Sequence, residues 1–423
     1  MDLLQPPKGT RDFYPADLAL RNWLFAIFRD TARRYGFQEF DGPILESEEL
    51  FVRKQGEEIV DQLYNFEDKG GRRVCLRPEM TPTLARMILA RNQELAKPLK
   101  WFSLSQCFRY ERMSRGRKRE HYQWNLDIVG EESLLAEVEI ISAIASALLK
   151  IGLKDNEFII GLNNRILMQD LFQCLKIPPS RYLEVIMIID KKDKVESQIL
   201  RDLLKQKDLT ESQLNALEEV LNFRDLALVK NFLEKNNGPL QGYQMLASLF
   251  RDLSHSPAKN MCKFEMGIVR GLSYYTGTVF EVYDTEKQFR AICGGGRYDR
   301  LLETLGGQPQ PAVGAGFGDV VILEILQAKQ RLPGLDFSVD DFIIPFSDEQ
   351  VPLALNLAAR LREKNRVVDL ALGLKKLKKN MADANRRKAK RVILVAPDEL
   401  RYGQVVVKDM LTGQEEKISL ESL

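Results

Sequence analysis

The densest run of reactive side chains lies between Phe108 and Asp127. An apolar stretch from Leu99 to Phe108 leads into Arg109, Glu111 and Arg112. A tip around Gly116 then carries Arg115, Arg117, Lys118 and Arg119, and the chain returns through an alternating segment, Tyr122 to Val129, bearing Gln123 and Asp127. Two β-like runs about a glycine-bearing tip predict a β-hairpin. Period-two alternation sets Gln123 and Asp127 on one strand face. Cations, a carboxylate and an amide gathered in this way suit a ligand that is both anionic and amine-bearing, such as ATP beside an amino acid. A lone arginine-rich loop would more simply be a solvated hairpin; the shared face of Gln123 and Asp127 argues against that.

Several other chemistries are excluded. No Gly-x-x-x-x-Gly-Lys-Ser/Thr segment occurs, so ATP must be held by side chains on a sheet rather than by a phosphate loop. His121 and His255 have no Ser or Cys at triad spacing. The five cysteines are scattered without metal-ligand spacing, and their odd number argues against a disulfide framework. No metal site is predicted, and a reducing cytoplasm is the expected location. No stretch approaches a membrane span, and the first residues do not resemble a signal peptide. The net charge of +2 announces no nucleic-acid binder, yet nine Lys/Arg stand against Asp383 alone between Gly373 and Arg391. Such a patch binds phosphates without a basic overall balance.

At 423 residues, 44% of them hydrophobic, the chain is too long for one compact core. A catalytic domain over 1–330 and a second domain over 336–423 are expected, separated near Leu332-Pro-Gly. Asp17 to Tyr35 reads as an amphipathic helix stopped by Gly36, followed by a strand closed by Pro43. β-Like runs at 72–77, 99–110, 122–129, 278–284 and 289–294 predict an α+β fold, one antiparallel sheet flanked by helices. Leu/Lys/Glu-rich helical segments fill about 165–253. Beyond the linker come a strand (341–345), a helix (351–364), a second helix (374–390), a strand (391–396) and a strand pair (404–409, 416–420). That is a small α/β domain. On the second helix, Leu374, Leu377, Met381 and Ala384 share a docking face, leaving Lys375, Lys376, Lys379, Arg386 and Arg387 for RNA phosphates.

The hairpin resembles motif 2 of the class II aminoacyl-tRNA synthetases, and of the histidyl-tRNA synthetase family in particular. Gly267 to Glu281, with Arg270, Gly271, Tyr274 and Tyr275, resembles that family's first histidine signature. Cys293 to Asp299, with Gly294, Gly295, Gly296, Arg297 and Tyr298, resembles its second. The resemblance runs over almost the whole chain. It implies a class II antiparallel sheet with a helical insertion at about 165–253, and an anticodon-binding domain at the C-terminus. It also implies dimerisation through the first helix and the Pro43 strand, and a reaction of L-histidine, ATP and Mg2+ that charges tRNA(His).

Carried onto this sequence, the resemblance assigns Arg109 and Arg270 to the α-phosphate. Glu111, Arg112, Arg117 and Arg119, with Arg109, fall to ATP, and Glu79, Met80, Thr81, Gln123, Asp127, Tyr274 and Tyr275, with Arg109 and Arg270, to histidine. Gly294 to Gly296 would admit close backbone approach, with Arg297 and Asp299 as braces. The chain departs from the family twice. Ser273 replaces the acid of the tyrosine signature, and Val321 stands where motif 3 carries an arginine for the γ-phosphate, a task that would then fall to Arg115, Arg117 or Arg119. The missing arginine leaves a second reading, a non-catalytic relative such as the regulatory subunit of ATP phosphoribosyltransferase.

Overall fold

The computed structural model describes residues 3–423 apart from 56, 193–194, 271–273 and 374. Gly271 and Ser273 of the tyrosine signature and Leu374 of the basic segment therefore lie outside the described residues. Two compact units divide at Pro333/Gly334.

The first unit is built on an eight-stranded sheet. In spatial order its strands are Gln38–Glu39, Leu99–Phe108, Glu120–Val129, Ala312–Gly318, Cys293–Arg297, Thr278–Asp284, Phe158–Asn164 and Cys262–Phe264. The six central strands pair antiparallel, whereas each edge strand pairs parallel to its neighbour. The expected antiparallel sheet is thus mixed at its rims.

Alternation gives this sheet two unlike faces. Phe102, Trp124, Leu126, Val313 and Phe317 point to one side and enter the main core. There they meet the helices Pro15–Arg34 and Leu135–Ile151. Pro15 starts the first helix, Asp17 lies in its first turn and Arg33 and Arg34 in its last, the order that suits a helix dipole. Phe28 of that helix stacks on Trp124 with ring centroids 4.6 Å apart. Gly152, at φ +113°, stops the second helix, a conformation that disfavours any side chain. Gln123, Asn125 and Asp127 lie on the opposite face.

Two sequence expectations are corrected. The 72–77 run forms Arg73–Leu76, but in a separate three-stranded sheet with Leu45–Ser47 and Tyr64–Glu67. The 289–294 strand begins only at Cys293. Before it, buried Asp284 accepts main-chain N–H bonds from Gln288 and Phe289, both at 3.0 Å, and so fixes a turn. The helices of 165–253 include Arg165–Cys174, Glu211–Leu221 and Gln241–Leu253. Leu167, Leu217 and Leu246 lie in the same hydrophobic core as Phe28, so these helices extend that core rather than building their own.

The second unit, Gly334–Leu423, holds a five-stranded sheet in the order Val368–Leu370, Asp341–Pro345, Arg391–Val395, Gln404–Asp409, Glu415–Ser419. Its basic helix is shorter than expected, Leu377–Arg386. Ala384 is buried and Met381 packs on the core, but Leu377 is 41% exposed and Asn380 takes the inward position. Three of the expected RNA-facing cations are paired, Lys375 and Arg386 with Asp383 and Arg387 with Asp369. Lys376, Lys378, Lys379 and Lys388 are exposed.

Candidate active site

The open face of the sheet is floored by glycines. Gly294 pairs with Gly316 and Gly296 with Gly314, while Gly314 lies opposite Asp127 on the hairpin's returning strand. Each of these glycines underlies a candidate side chain. A Cβ on Gly294 would come within 2.8 Å of Arg270 Nη1, and one on Gly296 within 2.9 Å of the Tyr275 ring. A Cβ on Gly314 would meet the Tyr298 hydroxyl at 2.5 Å and collide with the Asp127 carboxylate, and one on Gly316 would collide with the Gln123 amide. The four glycines thus let five polar side chains, Arg270, Tyr275, Tyr298, Asp127 and Gln123, lie flat on the sheet, and the packing makes these positions specific.

Arg270 adopts φ +50°, a left-handed conformation that costs an arginine energy and marks a constrained position. Its Nη1 donates to Glu281 Oε1 at 2.6 Å. Burial opposes its charge, but Tyr275, Glu281 and Tyr274 outweigh this and its pKa is raised. The side chain remains a permanent cation, and its Nε is buried without a hydrogen-bond partner.

Tyr274 and Tyr275 stand beside it with ring centroids 4.7 Å apart. Burial pushes both hydroxyls upward in pKa, and buried Glu79 is close enough to add to each shift. Tyr274 also meets Tyr298 edge-on at 6.0 Å, and the Tyr298 hydroxyl donates to Asp127. Gln123 Oε1 is buried with no partner. An orphaned amide oxygen beside an anchored carboxylate can accept from an ammonium group. Among the expected histidine-binding residues, Glu79, Asp127, Arg270, Tyr274 and Tyr275 are therefore linked by contact or by charge, and strand alternation sets Gln123 on the face of Asp127. Met80 is fully buried and accepts from Arg77 Nη1 through its sulfur at 3.3 Å. Thr81 opens the helix Thr81–Ala90. Met80 is a framework position, and Thr81 is half-buried.

The cationic side follows the hairpin tip. Arg109 Nε donates to the Pro78 carbonyl at 3.0 Å, which ties it to the segment carrying Glu79. Arg117 pairs with Glu111 at 2.7 Å. Arg119 donates to the Glu111 carbonyl at 3.2 Å and stacks on Tyr110 at 4.0 Å, while Arg112 is exposed. Burial, then Arg109, Arg11 and Arg117, hold His121 down to about 3, so its imidazole is neutral at physiological pH. Arg297 touches no open surface. It pairs with buried Glu137 at 2.6 Å and with Asp299 at 3.3 Å, and Asp299 accepts from Thr276 at 2.9 Å. Arg297 thus ties the glycine strand to the helix Leu135–Ile151.

Several contributors escape sequence reasoning. Arg11 Nε donates to Glu120 at 3.0 Å and its Nη1 to Asp319 at 2.9 Å, while Asp319 also accepts the Tyr122 N–H at 3.0 Å. This buried network fastens the N-terminal segment to the hairpin. Arg77, almost fully buried, donates to the carbonyls of Gln106 and Gly42 at 2.9 and 2.7 Å. Tyr298 lay in plain view within the glycine signature. A cavity of about 250 Å3 opens beside the face, lined by Ile268, Glu281 and Tyr283 of the sheet side and by Lys192 and Arg224.

A glycine-floored, mainly antiparallel sheet that presents a motif 2 hairpin and a second arginine to an amine-bearing anion is the catalytic architecture of a class II aminoacyl-tRNA synthetase. The family model for histidyl-tRNA synthetase matches residues 9–318, and that for an anticodon binding domain matches 341–423. A histidine–tRNA ligase of Arabidopsis thaliana, described as chloroplastic/mitochondrial, is 42% identical over 99% of this chain and 86% of its own length. One from Leptospira biflexa is 36% identical over 95% of this chain and 92% of its own. The crystal structure of histidyl-tRNA synthetase from Nostoc sp. PCC 7120 superposes with a TM-score of 0.82 at 22% identity, covering 99% of this chain and 97% of that one. The chain belongs to the histidyl-tRNA synthetase family.

Proposed function

We propose that the glycine-floored face is where this ligase activates histidine, with Arg109 and Arg270 flanking the α-phosphate of ATP. The reaction is that of the family. A carboxylate oxygen of histidine attacks the α-phosphorus, the bond to the bridging oxygen of pyrophosphate breaks, and histidyl-adenylate forms. A terminal ribose hydroxyl of tRNA(His) then takes the histidyl group and AMP leaves. No protein nucleophile is required; what lowers the barrier is alignment and positive charge around a phosphorus gaining negative charge. Arginines suit that task because a guanidinium grips phosphate through two N–H groups. The observation that carries the assignment is Arg270, held at positive φ across Gly294 with its Nε unpartnered.

Gln123 Oε1, Asp127 and Glu79 receive the substrate ammonium, and Tyr274 and Tyr275 form the slot for its imidazole. Glu111, Arg112, Arg117 and Arg119 orient the nucleotide. Magnesium bound with ATP would neutralise phosphate charge, drawing most of its ligands from phosphates and water. Glu111, the hairpin carboxylate beside Arg117, suits it.

Residues 334–423 bind the tRNA anticodon, with exposed Lys376, Lys378 and Lys379 facing its phosphates. The chain works as a homodimer. Ile44, Leu45 and Phe66, 39–47% exposed around the small sheet, are apolar surface that a second copy would cover. Five unpaired thiols fit a reducing compartment, and we place the enzyme in the cytoplasm, while its Arabidopsis relative is named for organelles. Charging of tRNA with labelled histidine, and with no other amino acid, tests the whole reading. Failure to charge, with the protein folded, would favour the non-catalytic alternative.

A further inference from the structure

The helix Asp319–Ala328 follows directly on the glycine strand Ala312–Gly318. Its buried Val321 fronts the hairpin tip, where a Cβ on Gly116 would lie 3.3 Å from Val321 Cγ2. The helix therefore offers the tip an isopropyl group where the family carries a cation. A cation does stand there, supplied by another element. The same Gly116 Cβ would lie 3.4 Å from Arg290 Cδ and 3.7 Å from Arg290 Cβ. We propose that Arg290, on the turn between Thr278–Asp284 and Cys293–Arg297, holds the terminal phosphates of ATP in this enzyme. This rests on the reading that ATP lies along the hairpin.

The three arginines expected from sequence to replace the missing cation are engaged. Arg115 stacks on Phe289 at 4.5 Å and approaches Glu324 at 3.9 Å. Arg117 pairs with Glu111, and Arg119 is spent on Tyr110 and the Glu111 carbonyl. Arg290 is exposed and makes no ion pair with any described residue. Its backbone is nonetheless well placed, because buried Asp284 anchors Phe289 immediately before it and Ile292 donates to the Val282 carbonyl at 2.7 Å soon after. The hairpin tip is fastened to the helix Asp319–Ala328 by the Gly116 N–H, which donates to Glu324 at 3.2 Å. Arg290 and Arg109 both depress the pKa of Arg117, after burial and against Glu111. Three guanidinium groups thus share one neighbourhood in which Glu111 is the counter-charge to Arg117. A polyphosphate supplies the anionic charge such a cluster lacks.

The test uses full-length Arg290→Ala and Arg290→Lys, with Arg109→Ala as the control on ATP placement. Histidine-dependent ATP–pyrophosphate exchange gives KM for ATP and for histidine. Inhibition by a non-hydrolysable histidyl-adenylate analogue, which has no β- or γ-phosphate, reports the rest of the site. Arg290→Ala is expected to raise KM for ATP about tenfold or more, the loss of one charge-assisted contact. KM for histidine and the analogue's inhibition constant should stay as in the wild type. Arg290→Lys should recover part of the loss as a point charge. An unchanged KM for ATP in Arg290→Ala, while Arg109→Ala raises it, overturns this inference alone. No effect in either variant overturns the placement of ATP on the hairpin. Equal weakening of ATP and analogue would show that Arg290 shapes the site instead, and would also overturn the inference.

Discussion

Arg165 holds Arg270 by its backbone: Arg165 Nη2 donates to the Arg270 main-chain carbonyl at 2.5 Å. The Arg165 N–H meanwhile donates to the Gly277 carbonyl at 2.8 Å, so one buried residue grips both ends of the segment that carries the tyrosine pair. Burial lowers the Arg165 pKa to about 10, which leaves it charged at physiological pH. A guanidinium at the start of a helix is thus a positioning residue for the arginine assigned to the α-phosphate.

Arg165→Met should therefore cut histidine-dependent pyrophosphate exchange by about ten- to a hundredfold, the equivalent of losing one charge-assisted hydrogen bond of roughly 1.5–3 kcal/mol. The deficit should fall mainly on kcat. Exchange kinetics beside a circular-dichroism melt check this; a wild-type kcat in a folded variant would deny the grip any catalytic role.

Gly316→Ala and Gly314→Ala should act on histidine through what their Cβ atoms displace, the Gln123 amide and the Asp127–Tyr298 pair. Neither glycine is at positive φ, so the strand itself accommodates alanine. Calorimetric histidine affinity should drop about tenfold or more in each, as it should in Gln123→Ala and Asp127→Ala, with ATP affinity less affected. Unaltered histidine binding across this set would place the amino-acid pocket elsewhere.

His121 makes the fold acid-sensitive in a defined direction. Its folded pKa of about 3 lies below the ordinary 6.5, so the unfolded chain binds more protons between those values and stability falls as pH drops through that window. The contribution is fully present above pH 6.5. At pH 5 the loss amounts to about 2 kcal/mol relative to pH 7. His121→Gln should show a smaller drop in urea midpoint between pH 7 and pH 5 than the wild type. An identical drop in both would mean that the ring is not held neutral by burial.

Exposed Lys376, Lys378 and Lys379 should contribute to tRNA affinity and to its salt dependence. Their joint replacement by alanine should flatten the slope of log affinity against log salt by about 2, at roughly 0.7 per phosphate contact on single strands. Pyrophosphate exchange, which needs no tRNA, should be unaffected. A salt slope equal to the wild type would leave these lysines as a solvated face.

The hairpin was legible because its information is local: alternation in 122–129 sets Gln123 and Asp127 on one face, and the strands Leu99–Phe108 and Glu120–Val129 form within two residues of the predicted runs. What the sequence hid is non-local. The run 289–294 reads as apolar, yet Asp284 turns the backbone at Gln288 and Phe289 and so brings Arg290 to the hairpin tip. Arg73–Leu76 looks like any strand of the main sheet until its partners are seen. Arg11, Arg165 and Asp319 gain their roles from residues more than a hundred positions away, a distance over which periodicity carries no signal. In the second unit the helix ends at Arg386, and Lys388 turns left-handed at φ +49°, an irregularity that a run of strong helix formers does not announce.

The central claim is that Arg270, laid across Gly294, stabilises charge that arises only as the adenylate forms. Histidine-dependent ATP–pyrophosphate exchange by full-length Arg270→Ala, set against the wild type, measures that most directly. The wild type should exchange only when histidine is present, and the variant should fall about a hundredfold or more, on the order of 3 kcal/mol, with its melting temperature unchanged. Near-normal exchange by the variant would contradict the claim.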